Sequence, residues 1–204
     1  MKRSLSILLL SILVVMASAN RKPTVVHVIG NEVKPFSLRN CNGKDFSLAD
    51  YRDTKGFILV FTCNHCPFAK LYMQRLNEMN AKYKSLGVPL IAINPMDSNI
   101  YEEETLAGMQ SWAREKKFNF PYLQDASQDI ARMFHATHTP DAFVIWKKGG
   151  KWIIRYSGAI DDNGEKPAQA HSFIGLAVDQ LLSGKMVSKP ETLSFGCAIS
   201  YRGG

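Results

Sequence analysis

A run of five apolar residues, followed at once by two cysteines, constrains the fold of this chain more than any other feature. Residues 57–61 read Phe-Ile-Leu-Val-Phe, the pattern of a strand buried on both faces of a sheet. Cys63 and Cys66 come next. Apolar residues then recur at spacings of three and four, which predicts a helix: Phe68, Leu71, Tyr72, Leu76, Met79 and Tyr83. The cysteines should therefore lie where a buried strand ends and an amphipathic helix begins.

This position favours a reactive thiol. A helix N-terminus has free N–H groups and a partial positive charge, and both stabilise a thiolate. His65 adds a positive neighbour when it is protonated, and the C-x-x-C spacing lets the second thiol reach the first sulfur after attack. Such surroundings lower a cysteine pKa from about 8.5 to roughly 3.5–7.5. A crosslink between Cys63 and Cys66 would restrain the unfolded chain little because the loop is so short. We therefore expect redox chemistry at this pair.

The other two cysteines leave alternatives open. C-x-x-C also occurs in zinc sites, but the sequence has no second C-x-x-C to complete one, and we predict no metal and no cofactor. Cys197 stands in the segment Ser194–Ile199 and is a third redox thiol, a partner for Cys41, or an idle buried residue. Cys41 stands beside a predicted turn and is not expected to be catalytic.

The remaining pattern predicts alternating strands and helices. The predicted elements are a hairpin at 36–48 turning at Asn42-Gly43, a strand at 90–93, helices at 102–117, 125–134 and 167–182, and a hairpin of strands 143–146 and 152–156. Asp125 and Gln128 resemble a capping box for the second of these helices. The order is β-hairpin, βαβ, inserted helix, βαββα, which predicts an α/β domain with a central mixed sheet flanked by helices.

The first residues have the pattern of a signal peptide. Lys2 and Arg3 precede an apolar run over 5–16, and Ala17-Ser18-Ala19 is a small-residue cleavage site. The run is too short to cross a bilayer, which takes roughly 20 residues. We predict a signal peptide at 1–19 and a domain at 20–204, exported to the periplasm or another extracytoplasmic space, with no stable membrane insertion after cleavage. Cleavage lowers the formal charge from +7 to +5 by removing Lys2 and Arg3. The remaining basic residues form no stripe, so nucleic-acid binding is not expected.

The sequence resembles the thioredoxin superfamily, and more closely the bacterial redoxins related to the AhpC/TSA proteins. The resemblance rests on four segments: Phe61-Thr62-Cys63-Asn64-His65-Cys66-Pro67, Ala92-Ile93-Asn94-Pro95, Thr137-His138-Thr139-Pro140, and Tyr156-Ser157-Gly158-Ala159-Ile160-Asp161-Asp162. It implies a thioredoxin-like fold and, through the insertion between Asn94 and Asp125, a redoxin rather than a minimal thioredoxin.

The resemblance also implies roles for individual residues. Cys63 matches the exposed nucleophile and Cys66 the resolving thiol. Pro140 matches the cis-proline that faces the active site, with Thr139 before it. His65 occupies the second place between the cysteines, where it should stabilise the thiolate and make the pair more oxidising than that of thioredoxin, about −270 mV.

Two departures from the family pattern bear on the chemistry. Many thioredoxins have a buried acid six residues before the first cysteine, and here that position is Phe57. Peroxiredoxins need a threonine three residues before the reactive cysteine, and here that position is Val60, which argues against peroxidase chemistry.

The predicted function is thiol-disulfide exchange through Cys63 and Cys66, with protein thiols or disulfides and an upstream redox partner as the partners. Two alternatives remain. One is a peroxide-reducing AhpC/TSA-type redoxin. The other is a copper-binding chaperone of thioredoxin fold, in which His135 and His138 would join the two cysteines.

Overall fold

A computed structural model describes residues 27–203 and contains one eight-stranded mixed sheet and one two-stranded sheet. The strands are β1 (Glu32–Val33), β2 (Ser37–Asn40), β3 (Asp45–Ser47), β4 (Gly56–Phe61), β5 (Leu90–Asn94), β6 (Tyr122–Gln124), β7 (His138–Thr139), β8 (Asp141–Lys148), β9 (Lys151–Gly158) and β10 (Cys197–Ala198). The helices are α1 (Pro67–Lys70), α2 (Met73–Lys84), α3 (Leu106–Glu115), α4 (Asp129–Phe134) and α5 (Phe173–Leu182). The large sheet has the order β1-β9-β8-β4-β5-β6-β2-β3, which confirms the predicted α/β class.

Strand β4 lies inside the sheet and holds the cysteines in place. It pairs in parallel with β5 and antiparallel with β8, and all of its apolar side chains are fully buried. Ile58 and Val60 face a core that contains both reactive cysteines, whereas Phe57, Leu59 and Phe61 face a second core on the other side. This is the two-sided burial that the apolar run predicted.

The predicted helix after the cysteines is interrupted. α1 ends at Lys70, and α2 starts at Met73 after a turn through Leu71 and Tyr72. Phe68 and Leu71 were expected on the buried face, but their exposed fractions are 44% and 43%. The buried stripe belongs mainly to α2, where Leu76 and Tyr83 enter the first core.

In the insertion, residues 95–124, the helix does not start where it was predicted to start. The helix expected over 102–117 begins as a separate 3-10 turn, Glu102–Glu104, and the extended backbone of Thr105 ends that turn. Thr105 then caps α3 by accepting the Gly108 N–H at 3.2 Å. A similar 3-10 turn, Pro167–Gln169, precedes α5, which Ser172 caps. Each helix is thus shorter than its apolar period suggested.

The capping box expected at Asp125 and Gln128 forms only in part. The Asp125 carboxylate accepts the Ala131 N–H at 2.8 Å and caps α4. The Gln128 side chain does not bond back to Asp125; it donates to the carbonyls of Pro95 and Ser200, both at 2.9 Å. Gln128 therefore links α4 to the end of the chain.

The final segment, residues 190–203 and here called the tail, carries β10. β10 pairs antiparallel with β7, the short strand just before Pro140. No pattern in the sequence predicted this pairing. Among residues 27–203, no helix combines the length and apolarity needed to span a membrane. The predicted signal peptide at 1–19 lies outside the described residues.

Candidate active site

Cys63 and Cys66 lie at the junction of β4 and α1, as predicted. Cys66 is the N-cap of α1, and Pro67 occupies the first helical position, where a missing N–H costs no helical bond. Both side chains are fully buried in the first core, so Cys63 is not exposed as the resemblance implied. Both thiols are free and in hydrogen-bond contact with each other.

Thr139 and Pro140 contact this pair through strand pairing. β8 starts at Asp141, directly opposite Phe61 at the end of β4, so the residues before Asp141 meet the residues after Phe61. The Thr139–Pro140 bond is cis. The Cys63 sulfur lies 3.1 Å from the Thr139 hydroxyl, and the Cys66 thiol donates to the Thr139 carbonyl at 3.1 Å. The structure thus brings together the four residues Cys63, Cys66, Thr139 and Pro140.

The two thiols titrate as a pair. The hydrogen bond between the sulfurs raises the pKa of Cys63 and lowers the pKa of Cys66 to about 4. Burial and the charge of Glu104 raise the pKa of Cys63 further. One proton leaves readily because the remaining S–H stabilises the thiolate, whereas loss of the second would leave two adjacent buried charges. The sequence predicted the lowered pKa at Cys63. In the reduced protein the first proton leaves the pair as a whole, because the hydrogen bond between the sulfurs lets the remaining S–H stabilise the thiolate.

Glu104, a residue that the sequence analysis did not single out, is a fully buried acid at the site. Its carboxylate accepts the backbone N–H of Asn64 at 2.9 Å and that of His65 at 2.8 Å. It also accepts the Asn94 side-chain amide at 2.6 Å. Glu104 therefore binds the two backbone N–H groups that lie between the cysteines, just before α1.

His65 contacts this acid. Its Nδ1 lies 2.7 Å from the Glu104 carboxylate, and its ring stacks on Tyr101 with centroids 4.0 Å apart. A protonated His65 would offset the charge of Glu104 and so act on Cys63 through the carboxylate. The expectation that His65 stabilises the thiolate stays a prediction, and the structure places its ring against Glu104.

A buried acid thus lies near Cys63, but it comes from the insertion and not from position 57. Phe57 faces the second core, where its ring packs against Tyr51 and Trp152. The only sequence signal for Glu104 was the acidic run Glu102-Glu103-Glu104, and acids in the first turn are common in any helix.

One group in residues 27–203 could hold a metal ion. A Cys63 sulfur, a His65 ring nitrogen and a Glu104 oxygen lie within 4.8 Å of one another. Thiolate, imidazole and carboxylate are the ligand types of zinc sites. His135 and His138, the histidines considered for copper, do not belong to this group, and His138 instead contacts the Thr137 hydroxyl at 2.9 Å.

Cys197 lies beside Cys66. It is directly opposite Thr139 in the β10–β7 pair. Its side chain packs against the core that contains Cys66, whose sulfur raises the pKa of Cys197. Cys41 follows β2, where its N–H bonds the Tyr122 carbonyl at 2.9 Å. Among the roles that the sequence left open for Cys197, this geometry favours contact with Cys63 and Cys66 over a disulfide with Cys41.

Asp161 has a structural role. It is buried and forms an ion pair with Arg75, and it accepts the Tyr72 hydroxyl at 3.1 Å. Asp162 is at the surface, where it accepts the His171 N–H at 2.7 Å. The two acids therefore lie in different surroundings and have different partners.

Residues 29–157 match the sequence model of the AhpC/TSA family, a span that includes Cys63, Cys66, Glu104 and the Thr139–Pro140 bond. The chain belongs to the AhpC/TSA family. A curated relative, the thiol-disulfide oxidoreductase ResA of Bacillus thuringiensis subsp. konkukian, is 28% identical over 130 residues, which are 64% of this chain and 70% of that protein.

Two solved structures extend the comparison. A hypothetical protein from Sinorhizobium meliloti 1021 is 31% identical, with a TM-score of 0.78 over 88% of this chain and 97% of that one. The exposed lipoprotein thioredoxin of Streptococcus pneumoniae strain TIGR4 is 18% identical, with a TM-score of 0.54 over 74% of this chain and 99% of that one. The family match and these neighbours confirm the thioredoxin-like fold.

Proposed function

We propose that this chain is a thiol-disulfide oxidoreductase that works through Cys63 and Cys66. The observation that carries the proposal is a pair of free thiols in mutual contact, set between the start of a helix and the backbone of Thr139–Pro140. The ResA relatives, which are named thiol-disulfide oxidoreductases, support it.

In the proposed mechanism, the Cys63 thiolate attacks one sulfur of a substrate disulfide. A mixed disulfide forms, and the other substrate sulfur leaves with the electron pair and takes a proton. Cys66 then attacks the Cys63 sulfur, which releases the second substrate thiol and leaves the Cys63–Cys66 disulfide. The same steps in reverse oxidise a substrate dithiol. The Thr139 hydroxyl can donate to the Cys63 sulfur, 3.1 Å away, and Pro140 has no N–H that would compete for substrate backbone.

The proposed partners are protein thiols or disulfides and an upstream redox protein that resets the pair. The pattern of residues 2–19 supports export to an extracytoplasmic space, where disulfides persist. Intact-mass analysis of the exported protein should find Asn20 at the N-terminus, and a retained Met1 would contradict this part of the proposal.

The experiment that tests the proposal is insulin-disulfide reduction by wild type, Cys63→Ser and Cys66→Ser. Cys63→Ser should abolish turnover, and Cys66→Ser should accumulate a mixed disulfide with insulin that mass spectrometry detects. Cys41→Ser, at a half-buried free cysteine, is the control and should match wild type. Full activity in Cys63→Ser would overturn the proposal. A mixed disulfide trapped in Cys63→Ser would show instead that Cys66 is the nucleophile and Cys63 the resolving thiol.

The same protein tests the peroxide-reducing alternative. Val60 is fully buried on β4 and has no hydroxyl to offer a peroxide. We expect hydrogen peroxide to be consumed no faster by the wild-type protein than by Cys63→Ser. A rate that depends on Cys63 would favour a peroxidase.

A second candidate function, metal binding by the reduced protein, rests on the group of Cys63, His65 and Glu104. A metal ion there would occupy the sulfur that forms the disulfide. Titration of reduced protein with Zn²⁺ or Cu⁺, followed by metal analysis, should give one ion per chain if the group binds metal, and the binding should be lost in Glu104→Gln.

A further inference from the structure

The tail passes over the active site and is fastened on both sides of it. Before the site, the Thr192 hydroxyl accepts the Ala159 N–H at 2.9 Å. After it, the Arg202 guanidinium bonds Asp97 at 2.7 Å, and the Tyr201 hydroxyl donates to the Ala136 carbonyl at 2.6 Å. Residues 193–200 are thus held between two anchors.

Between the anchors, the tail runs as an extended strand along Thr137–Pro140. Cys197 stands opposite Thr139, and Ala198 opposite His138. The Ile199 N–H continues the pairing by donating to the Thr137 carbonyl at 2.9 Å. An extended peptide that adds to an exposed strand edge makes these same main-chain bonds. The tail therefore occupies the strand edge next to Pro140 that a substrate segment would use.

The contact is close enough to exclude any larger residue at position 196. A Cβ on Gly196 would lie 2.2 Å from the Thr139 carbonyl oxygen and 3.2 Å from Pro140 Cδ. Phe195 packs edge-on against Phe68 of α1, with ring centroids 6.0 Å apart. Cys63 and Cys66 are fully buried beneath this arrangement, whereas Cys197 remains partly exposed.

We propose that Cys197 is a third redox-active thiol, which exchanges with the Cys63–Cys66 disulfide by attacking the sulfur of Cys66. The inference rests on the proposed function of that pair. A Cys66–Cys197 bond forms, the Cys63–Cys66 bond breaks, and Cys63 receives the electron pair and the proton that Cys197 loses. The step is an isomerisation with no net oxidation, so it needs no further reactant. It transfers the disulfide from a buried position to one that an outside thiol can reach.

The electrostatics of Cys197 suit a step that follows oxidation of the pair. Burial and then the Cys66 sulfur raise the pKa of Cys197 to about 11 in the reduced protein. Once Cys66 is in a disulfide it has no charge, so its share of this effect disappears. The Cys197 thiolate should therefore form more readily once the pair is oxidised, and the exchange should accelerate as the pH rises.

The test uses the Cys63→Ser variant, in which only Cys66 and Cys197 remain at the site, and oxidised glutathione as the probe. In Cys63→Ser, one of the two thiols should take up glutathione, and the other should then displace it. The product is an intramolecular Cys66–Cys197 disulfide, seen as a loss of two hydrogens and mapped on the joined peptides. In Cys63→Ser/Cys197→Ser the reaction should stop at the glutathione adduct.

Controls separate the possible failures. Cys63→Ser/Cys41→Ser should behave as Cys63→Ser. If the serine in Cys63→Ser/Cys197→Ser disturbs the fold, Cys63→Ser/Cys197→Ala replaces it and should likewise stop at the glutathione adduct. A glutathione adduct that persists equally with and without Cys197 would overturn the inference while leaving the proposed function intact. Wild type that forms no Cys63–Cys66 disulfide under the same conditions would instead overturn the proposed function.

Discussion

Two segments outside the strand–helix junction complete the active site, and they do so by different means. The insertion contributes a buried charge: Glu104 is fully enclosed, and several N–H donors bind its carboxylate. The tail contributes backbone and a thiol, paired along β7 beside Cys66. A buried carboxylate is stable only while all of its donors stay in place, whereas a paired strand can be released. We infer that the insertion is a fixed part of the site and the tail a removable one.

The largest expected effect is a loss of stability when Glu104 of the insertion is replaced. Glu104→Ala leaves the N–H groups of Asn64 and His65 without their acceptor. Each buried unsatisfied donor costs about 1–3 kcal/mol, so the free energy of unfolding should fall by about 3 kcal/mol or more in urea denaturation. Glu103→Ala, at an exposed neighbour, is the matched control and should change little. Equal stability of the two variants would mean that Glu104 is not held as described.

The next effect lies on the tail side, at Asp141. Burial raises the pKa of Asp141 from 3.8 to about 6, while the Thr137 N–H and Ser194 of the tail act to lower it. The folded state therefore holds this proton more tightly than the unfolded state, so stability falls as pH rises through about 4 to 6 and stays low above. The cost at neutral pH is about 3 kcal/mol.

Asp141→Asn removes this titration. Its stability relative to wild type should rise by up to about 3 kcal/mol between pH ~4 and ~7.5, measured by urea denaturation at each pH. Asp45→Asn, on an exposed hairpin strand, should show no such trend. A constant difference between Asp141→Asn and wild type would show that Asp141 does not titrate in this range.

A third prediction tests whether the tail can be removed without loss of the fold. Gly196→Val places side-chain atoms against the Thr139 carbonyl, and overpacking of this kind costs roughly 1–3 kcal/mol. That cost shifts the tail toward release, so alkylation of Cys66 by iodoacetamide should accelerate on the order of tenfold. Met186→Ala, which is 90% exposed, is the control. If alkylation were unchanged while far-UV circular dichroism was native, the tail would not limit access.

The smallest expected effect concerns the reduction potential. His65→Pro removes both the ring nitrogen and the N–H that Glu104 accepts, so the carboxylate is less compensated and the pKa of Cys63 should rise. A less stable thiolate favours the disulfide, and the potential should fall by about 30 mV, equivalent to roughly 1.4 kcal/mol. Equilibration with glutathione measures it. The shift should shrink in a Glu104→Gln background, and an undiminished shift there would mean that His65 acts on Cys63 directly.

The sequence predicted the parts of the site that lie close together along the chain. Cys63, His65 and Cys66 share one strand–helix junction, where the apolar period and C-x-x-C spacing are visible locally. Thr139 and Pro140 came from resemblance to a family. Glu104 and Cys197 reach the site through tertiary packing, and their local signals, an acidic run and a single cysteine, also occur on ordinary surfaces. Helix starts at Leu106 and Phe173 were missed because the caps Thr105 and Ser172 lie inside the apolar period.

The close approach at Gly196 also sets the register of the tail. Side chains alternate along a strand, so a slip of one residue would turn Ala198 toward Cys66 in place of the thiol. A Cβ opposite the Thr139 carbonyl would lie 2.2 Å from its oxygen, so Phe195 and Cys197 cannot take the place of Gly196. The glycine therefore fixes which neighbour faces the reactive pair. One residue inserted between Gly196 and Cys197 would leave the strand in place and turn its thiol away from Cys66.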